Sequence, residues 1–148
     1  MNWIFENAEK LGGIATVVAT LVAISATLVA IWALRTARSS QSEATAKDIY
    51  RDYLKLAFDH PEIASDFDKD ELLHNKEKYE KYQWFVAFLL TSCDEIVRIS
   101  PDDTWRRAIL KDLEPHVWYL NSDFKNYEDW GLYSSKLRDL AQKAGARV

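Results

Sequence analysis

Residues 11–34 read LGGIATVVATLVAISATLVAIWAL, a run of 24 residues without a charged side chain. Lys10 and Arg35 flank this run, which we call the apolar span, and the rest of the chain is strongly polar. A helix of this length is about 36 Å long, and the hydrocarbon core of a bilayer is about 30 Å thick. The sequence therefore predicts a transmembrane helix at residues 11–34 and a single-pass membrane protein.

The residues around the apolar span favour an uncleaved anchor over a cleaved signal peptide or a buried core helix. A cleaved signal has a basic start and an apolar core of about 7–15 residues. Here the first ten residues contain Glu6, Glu9 and only one base, Lys10, while Arg35 and Arg38 follow the span. Since basic residues mark the cytoplasmic side, we expect residues 1–10 to form a short extracytoplasmic tail and the C-terminal part to be cytoplasmic.

Small residues recur along the apolar span, and once just past it, at intervals of three or four. Such spacing keeps side chains on one face of a helix, and small residues let helices approach closely in lipid. The pattern predicts a helix–helix contact with a second copy or another membrane protein, although alanine is also simply common in anchors. We call the seven residues the small-residue stripe: Thr16, Ala19, Ala23, Ala26, Ala30, Ala33 and Ala37.

The remainder of the chain is long enough for one small domain with a single core. Only three Pro and four Gly occur, aromatic residues make up 13%, and 3-4 spacing recurs throughout, which predicts an all-α fold. We expect a juxtamembrane helix or linker at 35–45 and a cytoplasmic helical domain at 46–148. Residues 39–148 carry 16 Lys and Arg against 21 Asp and Glu, so no nucleic-acid partner is expected.

The sequence also predicts where the helices of the domain begin and end. The first helix is expected to continue out of the apolar span, with Ser39–Ser42 as the place for a bend, and to end at Asp59-His60-Pro61. Ser100 is expected to cap a helix that Pro115 kinks or restarts near His116. The other predicted elements are a short helix from Pro61 to about Phe67, a charged connection at 66–70, a core helix at 75–98, an irregular stretch at 121–131 and a last helix at 132–143, ended by Gly145.

Two aromatic residues of the core helix stand apart from its main apolar stripe. That stripe contains Tyr82, Val86 and Leu89, which hold 3-4 spacing and predict the buried face. Trp84 and Phe88 lie four residues apart and off the stripe. They mark either a possible partner surface or a broad core face.

The polar residues do not form a recognisable catalytic, cofactor or metal site. The three histidines, His60, His74 and His116, lack the spacing of a zinc site, and Cys93 has no neighbouring ligand. We expect the histidines to serve as cap, turn or surface residues. Asp94 and Glu95 are interpreted as a solvated edge that bonds to Arg98 or a neighbouring helix.

The order of these features resembles a set of uncharacterised bacterial small single-pass membrane proteins. The pieces that carry the resemblance are Tyr50-x-x-Tyr53-Leu54, His60-Pro61-Glu62, Tyr82-x-Trp84-Phe85, Glu95-Ile96, Trp105, His116 to Leu120 and Tyr133-Ser134. The resemblance implies an N-terminal anchor in a bacterial inner membrane followed by a helical cytoplasmic region. Because these proteins carry no assigned activity, it implies no function and no site.

Three functions remain open from the sequence. The first is a non-enzymatic membrane-anchored protein whose domain binds a protein partner or self-associates. The second is a defence or toxin-like effector that perturbs the bilayer through oligomers of its transmembrane helix. The third is an enzyme with an unrecognised site around His60 and Glu62, or around Glu95 and His116.

Overall fold

The computed structural model describes residues 2–64, 67–100, 102–122, 124 and 130–148; before residue 16, and at residue 17, it describes the backbone alone. The described residues form helices and short connections without a β-strand, so the predicted all-α fold is confirmed. The chain divides into two compact units, the first ending at Gln41 and the second spanning Ser42–Val148, and each is described by itself.

The α-helices are numbered in chain order. They are α1 (Asn2–Asp59), α2 (Pro61–Ala64), α3 (Lys69–His74), α4 (Lys76–Ile99), α5 (Asp103–Leu113), α6 (Val117–Asn121) and α7 (Ser135–Ala144). Two 3-10 turns, Glu114–His116 and Trp130–Leu132, precede α6 and α7.

The first helix, α1, contains the apolar span and continues through Ser39–Ser42 to Asp59. It ends there because His60 precedes Pro61 and a residue before proline avoids the α-helical region. Within the described residues, α1 is the one helix long and apolar enough to cross a membrane. No side chain of its apolar window is buried, so the window is not a core helix of this chain.

In the second unit, α4 is the central core helix, as predicted. Its buried face includes Tyr82, Phe85, Val86 and Leu89, each at most 2% exposed. The last turns of α1 pack on this core through Ala46 and Tyr53, which are also buried. The core is completed by buried residues of the other helices: Ile63 of α2, Leu72 of α3, Ile109 and Leu113 of α5, and Leu137 and Leu140 of α7.

Several helix boundaries differ from the predicted ones. The cap of α5 is Asp102, whose side chain accepts a hydrogen bond from the Thr104 amide, and Ser100 instead closes α4 by donating its amide to the Ile96 carbonyl. The sequence missed α3, whose cap is Asp68, because its six residues are too short for a periodic pattern. Pro115 does end α5 and restart the chain as α6, through the intervening 3-10 turn.

The C-terminal helix also begins at a different residue from the predicted one. The compact unit that contains it spans Ser42–Val148. The last helix begins later than Leu132 because the Ser134 hydroxyl accepts the Leu137 amide and so caps α7. Gly145 ends α7 as predicted, at a φ of 108°, a conformation that favours glycine. The predicted irregular stretch falls mostly outside the described residues.

Candidate functional site

The small-residue stripe lies within α1 and is exposed. The described side chains of the apolar span that flank it are exposed as well. Because α1 is helical throughout this range, 3-4 spacing puts the stripe on one helix face. That a partner helix covers this face stays a prediction for its seven residues: Thr16, Ala19, Ala23, Ala26, Ala30, Ala33 and Ala37.

Hydroxyl groups in the apolar span bond to the backbone of their own helix. Thr20, Ser25 and Thr27 each donate to the carbonyl four residues earlier, at 2.8 Å. Thr36, just past the span, donates to the Trp32 carbonyl at 3.1 Å. In hydrocarbon each polar group must find its partner within the protein. These four hydroxyls therefore have protein partners that they would keep in lipid.

A largely apolar groove of about 630 Å³ lies in the second unit. One wall comes from the end of α1 and from α2, and the other from the outer side of α4. The lining residues are Leu56, His60, Ile63, Lys81, Trp84, Phe85, Ala87, Phe88 and Thr91. A concave, mostly apolar surface with few polar groups is the usual form of a binding site. The groove is therefore the candidate functional site.

The groove contains both aromatic residues that the sequence set apart. Trp84 is 78% exposed and Phe88 is 41% exposed, so neither belongs to the core. A tryptophan in water at this exposure leaves a large apolar surface uncovered, and aromatic residues are enriched at protein interfaces. The exposure of both side chains is against a broad core face, and the partner surface stays a prediction.

Helix geometry explains why these aromatics point away from the core. At 100° per residue, the buried apolar residues of α4 lie on one side. A second row at 3-4 spacing lies on an arc about 80° wide, centred roughly 150° from the buried side. We call this row the outer strip of α4: Lys81, Trp84, Phe88, Thr91 and Glu95, all of which are exposed.

Two of the residues that line the groove, His60 and Lys81, have ionisable side chains. His60 Nδ1 lies 3.3 Å from Glu62 Oε1, and Lys81 Nζ lies 2.8 Å from Glu77 Oε1. The pKa of Glu62 is lowered by its own backbone amide and by His60, and the Lys81 hydrogen bond lowers the pKa of Glu77. Because exposed pairs of this kind are weak, Lys81 can exchange Glu77 for another acidic group at small cost.

A second cavity, of about 680 Å³, has a more polar wall that includes Lys111 and Asp112 of α5. Beside it, Tyr50 donates its hydroxyl to Asp112 Oδ2 at 2.9 Å and packs edge-on against Trp105 at 5.3 Å. Burial raises the pKa of Asp112, against the effect of the Tyr50 hydrogen bond. These contacts attach α1 to α5, and we assign them a structural role.

His116 is a core residue and not a surface residue. It is completely buried, its Nδ1 lies 3.0 Å from the Tyr82 hydroxyl, and its ring stacks on Phe67. Desolvation lowers the pKa of His116 to about 4, against an opposing effect of the Ala64 backbone, so the imidazole is neutral at pH 7. A catalytic pair of Glu95 and His116 is therefore not presented to solvent, whereas His60 and Glu62 do lie together at the groove rim.

Asp94 is buried, which corrects its interpretation as part of a solvated edge. Its Oδ2 pairs with Arg98 at 2.7 Å, and its Oδ1 accepts the Ser134 amide at 3.0 Å and the Ser134 hydroxyl. The expected bonds to Arg98 and to a neighbouring helix are both present. Asp94 thus fixes the start of α7 against α4, while Glu95 stays exposed on the outer strip.

Sequence reasoning found part of the groove and missed the rest. Lys81 and Thr91 share 3-4 spacing with Trp84 and Phe88, so a search of the exposed side of α4 would have found them. Leu56 and Ile63 could not be found in this way, because they join the groove only through the packing of α1 and α2 on α4. Among the described residues, no three His, Cys, Asp or Glu side chains converge on a point that could hold a metal ion.

No known family, curated protein or solved structure matches the chain. The resemblance to bacterial single-pass proteins therefore stays a prediction. Two exposed surfaces, the apolar span and the groove, are the candidate functional parts of the chain.

Proposed function

We propose that the chain is a single-pass membrane protein whose helical domain is a docking module on the cytoplasmic side of a bacterial inner membrane. The groove beside Trp84 and Phe88 binds a protein segment, either from another protein or from a second copy. The observation that carries this proposal is the uncovered indole of Trp84, 78% exposed beside a largely apolar groove.

The apolar span supports the membrane part of the proposal. Its described side chains are exposed, and the hydroxyls of Thr20, Ser25 and Thr27 bond within the helix. A row of exposed Val, Leu and Ile residues over this length is unfavourable in water and favourable in lipid. Arg35 and Arg38 support the cytoplasmic side for the domain through the positive-inside rule.

The test measures whether the groove is covered when the full chain is in its native membrane. Cys93 is buried at 2% exposure and is replaced by Ala, which removes the thiol from an apolar site without adding a polar group. A single cysteine is then introduced as Thr91→Cys in the groove or as Leu132→Cys, a control that is 71% exposed and does not line the groove.

Maleimide labelling in membranes prepared from the source bacterium is compared with labelling after solubilisation in a mild detergent. In membranes, we expect the Thr91→Cys thiol to react about tenfold more slowly than the Leu132→Cys thiol. After detergent has solubilised the chain and separated it from its partner, we expect the two thiols to react at similar rates. Equal rates in intact membranes would show that nothing occupies the groove, and the docking function would be wrong.

A further inference from the structure

The outer strip of α4 is nearly symmetric about Phe88. Lys81 and Glu95 lie seven residues before and after it, and Trp84 and Thr91 lie four before and three after it. One turn further out, Glu77 lies eleven before and Arg98 ten after, again at 3-4 spacing. A row with this spacing is the seam by which two helices pack along each other.

We propose that a second copy of this chain occupies the groove, with the two α4 helices antiparallel about a two-fold axis at Phe88. In such an isologous contact residue i meets residue j and residue j meets residue i. Phe88 then meets Phe88 of the second copy, and the inference rests on the proposed docking function of the groove.

Charge complementarity selects this occupant and this direction. In the antiparallel register, Lys81 of each copy lies opposite Glu95 of the other. Glu77 of each copy lies within one residue, or about 1.5 Å along the axis, of the position opposite Arg98. Glu95 makes no ion pair among the described residues, and Lys81 pairs with Glu77 at an exposed site. Arg98 would keep its pair with Asp94 and bind Glu77 of the other copy through its remaining guanidinium N–H groups. A parallel register would instead place Lys81 against Lys81 and Glu95 against Glu95, which is repulsive.

Side-chain size agrees with the same register. The bulky, exposed Trp84 of one copy faces the small Thr91 of the other, and both line the groove. Alternation of large and small residues across a helix pair lets the side chains interdigitate. Each copy of the outer strip thus carries both the large and the small side chain that the contact requires.

The size of the strip makes the pairing depend on the membrane. From Lys81 to Glu95 it is about 21 Å long, and a helix is about 10 Å wide, so the contact covers roughly 210 Å². A stable free-standing interface buries about 800 Å² on each partner. Confinement of both copies to one membrane raises their effective concentration, and this compensates for the small area.

Crosslinking of the full chain in membranes tests the register. In the Cys93→Ala background, Phe88→Cys is expected to form a disulfide-linked dimer at least about fivefold more efficiently than Leu132→Cys. Co-expressed Lys81→Cys and Glu95→Cys chains, distinguished by tags, are expected to form the mixed disulfide, whereas Lys81→Cys alone is not expected to form a dimer. An efficient Lys81→Cys homodimer would overturn the antiparallel arrangement.

Charge exchange tests the same contact without cysteines. We expect Lys81→Glu to lower the association constant in liposomes about tenfold, and Lys81→Glu with Glu95→Lys to restore it to within about twofold. Lys76→Glu is the matched control, because it breaks an equivalent exposed pair, with Glu80 at 3.8 Å, away from the strip. Equal effects of Lys76→Glu and Lys81→Glu would contradict the proposal.

The outcomes separate this inference from the docking function. Protection of the Thr91→Cys thiol without the Phe88→Cys crosslink would mean that another protein or lipid occupies the groove. The second copy would then be wrong and the occupied groove would remain. Loss of that protection would overturn both proposals.

Discussion

The apolar span of α1 and the outer strip of α4 are both exposed apolar surfaces, yet they differ in what can cover them. The span is apolar around the helix, and the hydroxyls of Thr20, Ser25 and Thr27 bond to the helix backbone. The strip is a narrow row with Lys81 and Glu95 at its ends, on a helix whose opposite side is buried. A surface apolar on every side is typical of a helix covered by lipid or by protein, whereas a bordered apolar row is typical of a contact of defined shape.

The largest expected difference between the two surfaces is their response to charge. Val22→Asp with Ile24→Asp places two carboxylates near the centre of the span, at a cost of about 5 kcal/mol of insertion free energy. We expect this variant to leave the membrane pellet on alkaline carbonate extraction.

Trp84→Asp with Phe88→Asp is the matched control for that experiment. It adds the same two charges on exposed positions of the domain, and we expect it to stay in the pellet while losing groove protection. Release of both variants would contradict the distinction between lipid-covered and partner-covered surfaces, as would retention of both.

A second difference is the response to acid. The described part of the span contains no titratable side chain, whereas the core of the domain contains His116. The pKa of His116 is lowered from 6.5 to about 4 in the folded state, so the unfolded state binds more protons between these values. The stability from a neutral His116 is therefore full above pH 6.5 and is lost as the pH falls towards 4. The loss amounts to roughly 3 kcal/mol.

Denaturant unfolding of the full chain in detergent, measured from pH 8 to pH 4, tests this dependence. His116→Phe keeps an aromatic ring against Phe67 but removes the partner of the Tyr82 hydroxyl, so we expect it to cost about 1–3 kcal/mol at pH 8. Between pH 6.5 and 4 the variant should lose less stability than the natural chain. A parallel loss in both proteins would show that His116 does not cause the acid sensitivity.

The sequence predicted each surface to the extent that its pattern is local. Uninterrupted apolarity defined the span, 3-4 spacing identified the buried side of α4, and Trp84 and Phe88 stood out because they lie off that side. The contributions of Leu56 and Ile63 to the groove depend on tertiary packing. The burial of Asp94 was missed for the same reason, since its partner Ser134 lies 40 residues away. The cap at Asp102 was missed because Ser100, Asp102 and Asp103 are all acceptable caps.

The smallest expected effect concerns the face of the span that carries the small-residue stripe. If the small-residue stripe is a contact, Ala23→Ile with Ala30→Ile should weaken association in liposomes by about 1 kcal/mol, or roughly fivefold, because larger side chains hold the backbones apart. Val22→Ile with Val29→Ile adds volume next to the stripe and serves as the control.

Single cysteines at the same four positions, in the Cys93→Ala background, give an independent measure of this contact by crosslinking. Crosslinks from Val22→Cys and Val29→Cys as efficient as those from Ala23→Cys and Ala30→Cys would make the span a uniform lipid-facing surface. The α4 strip would then be the one proposed contact left.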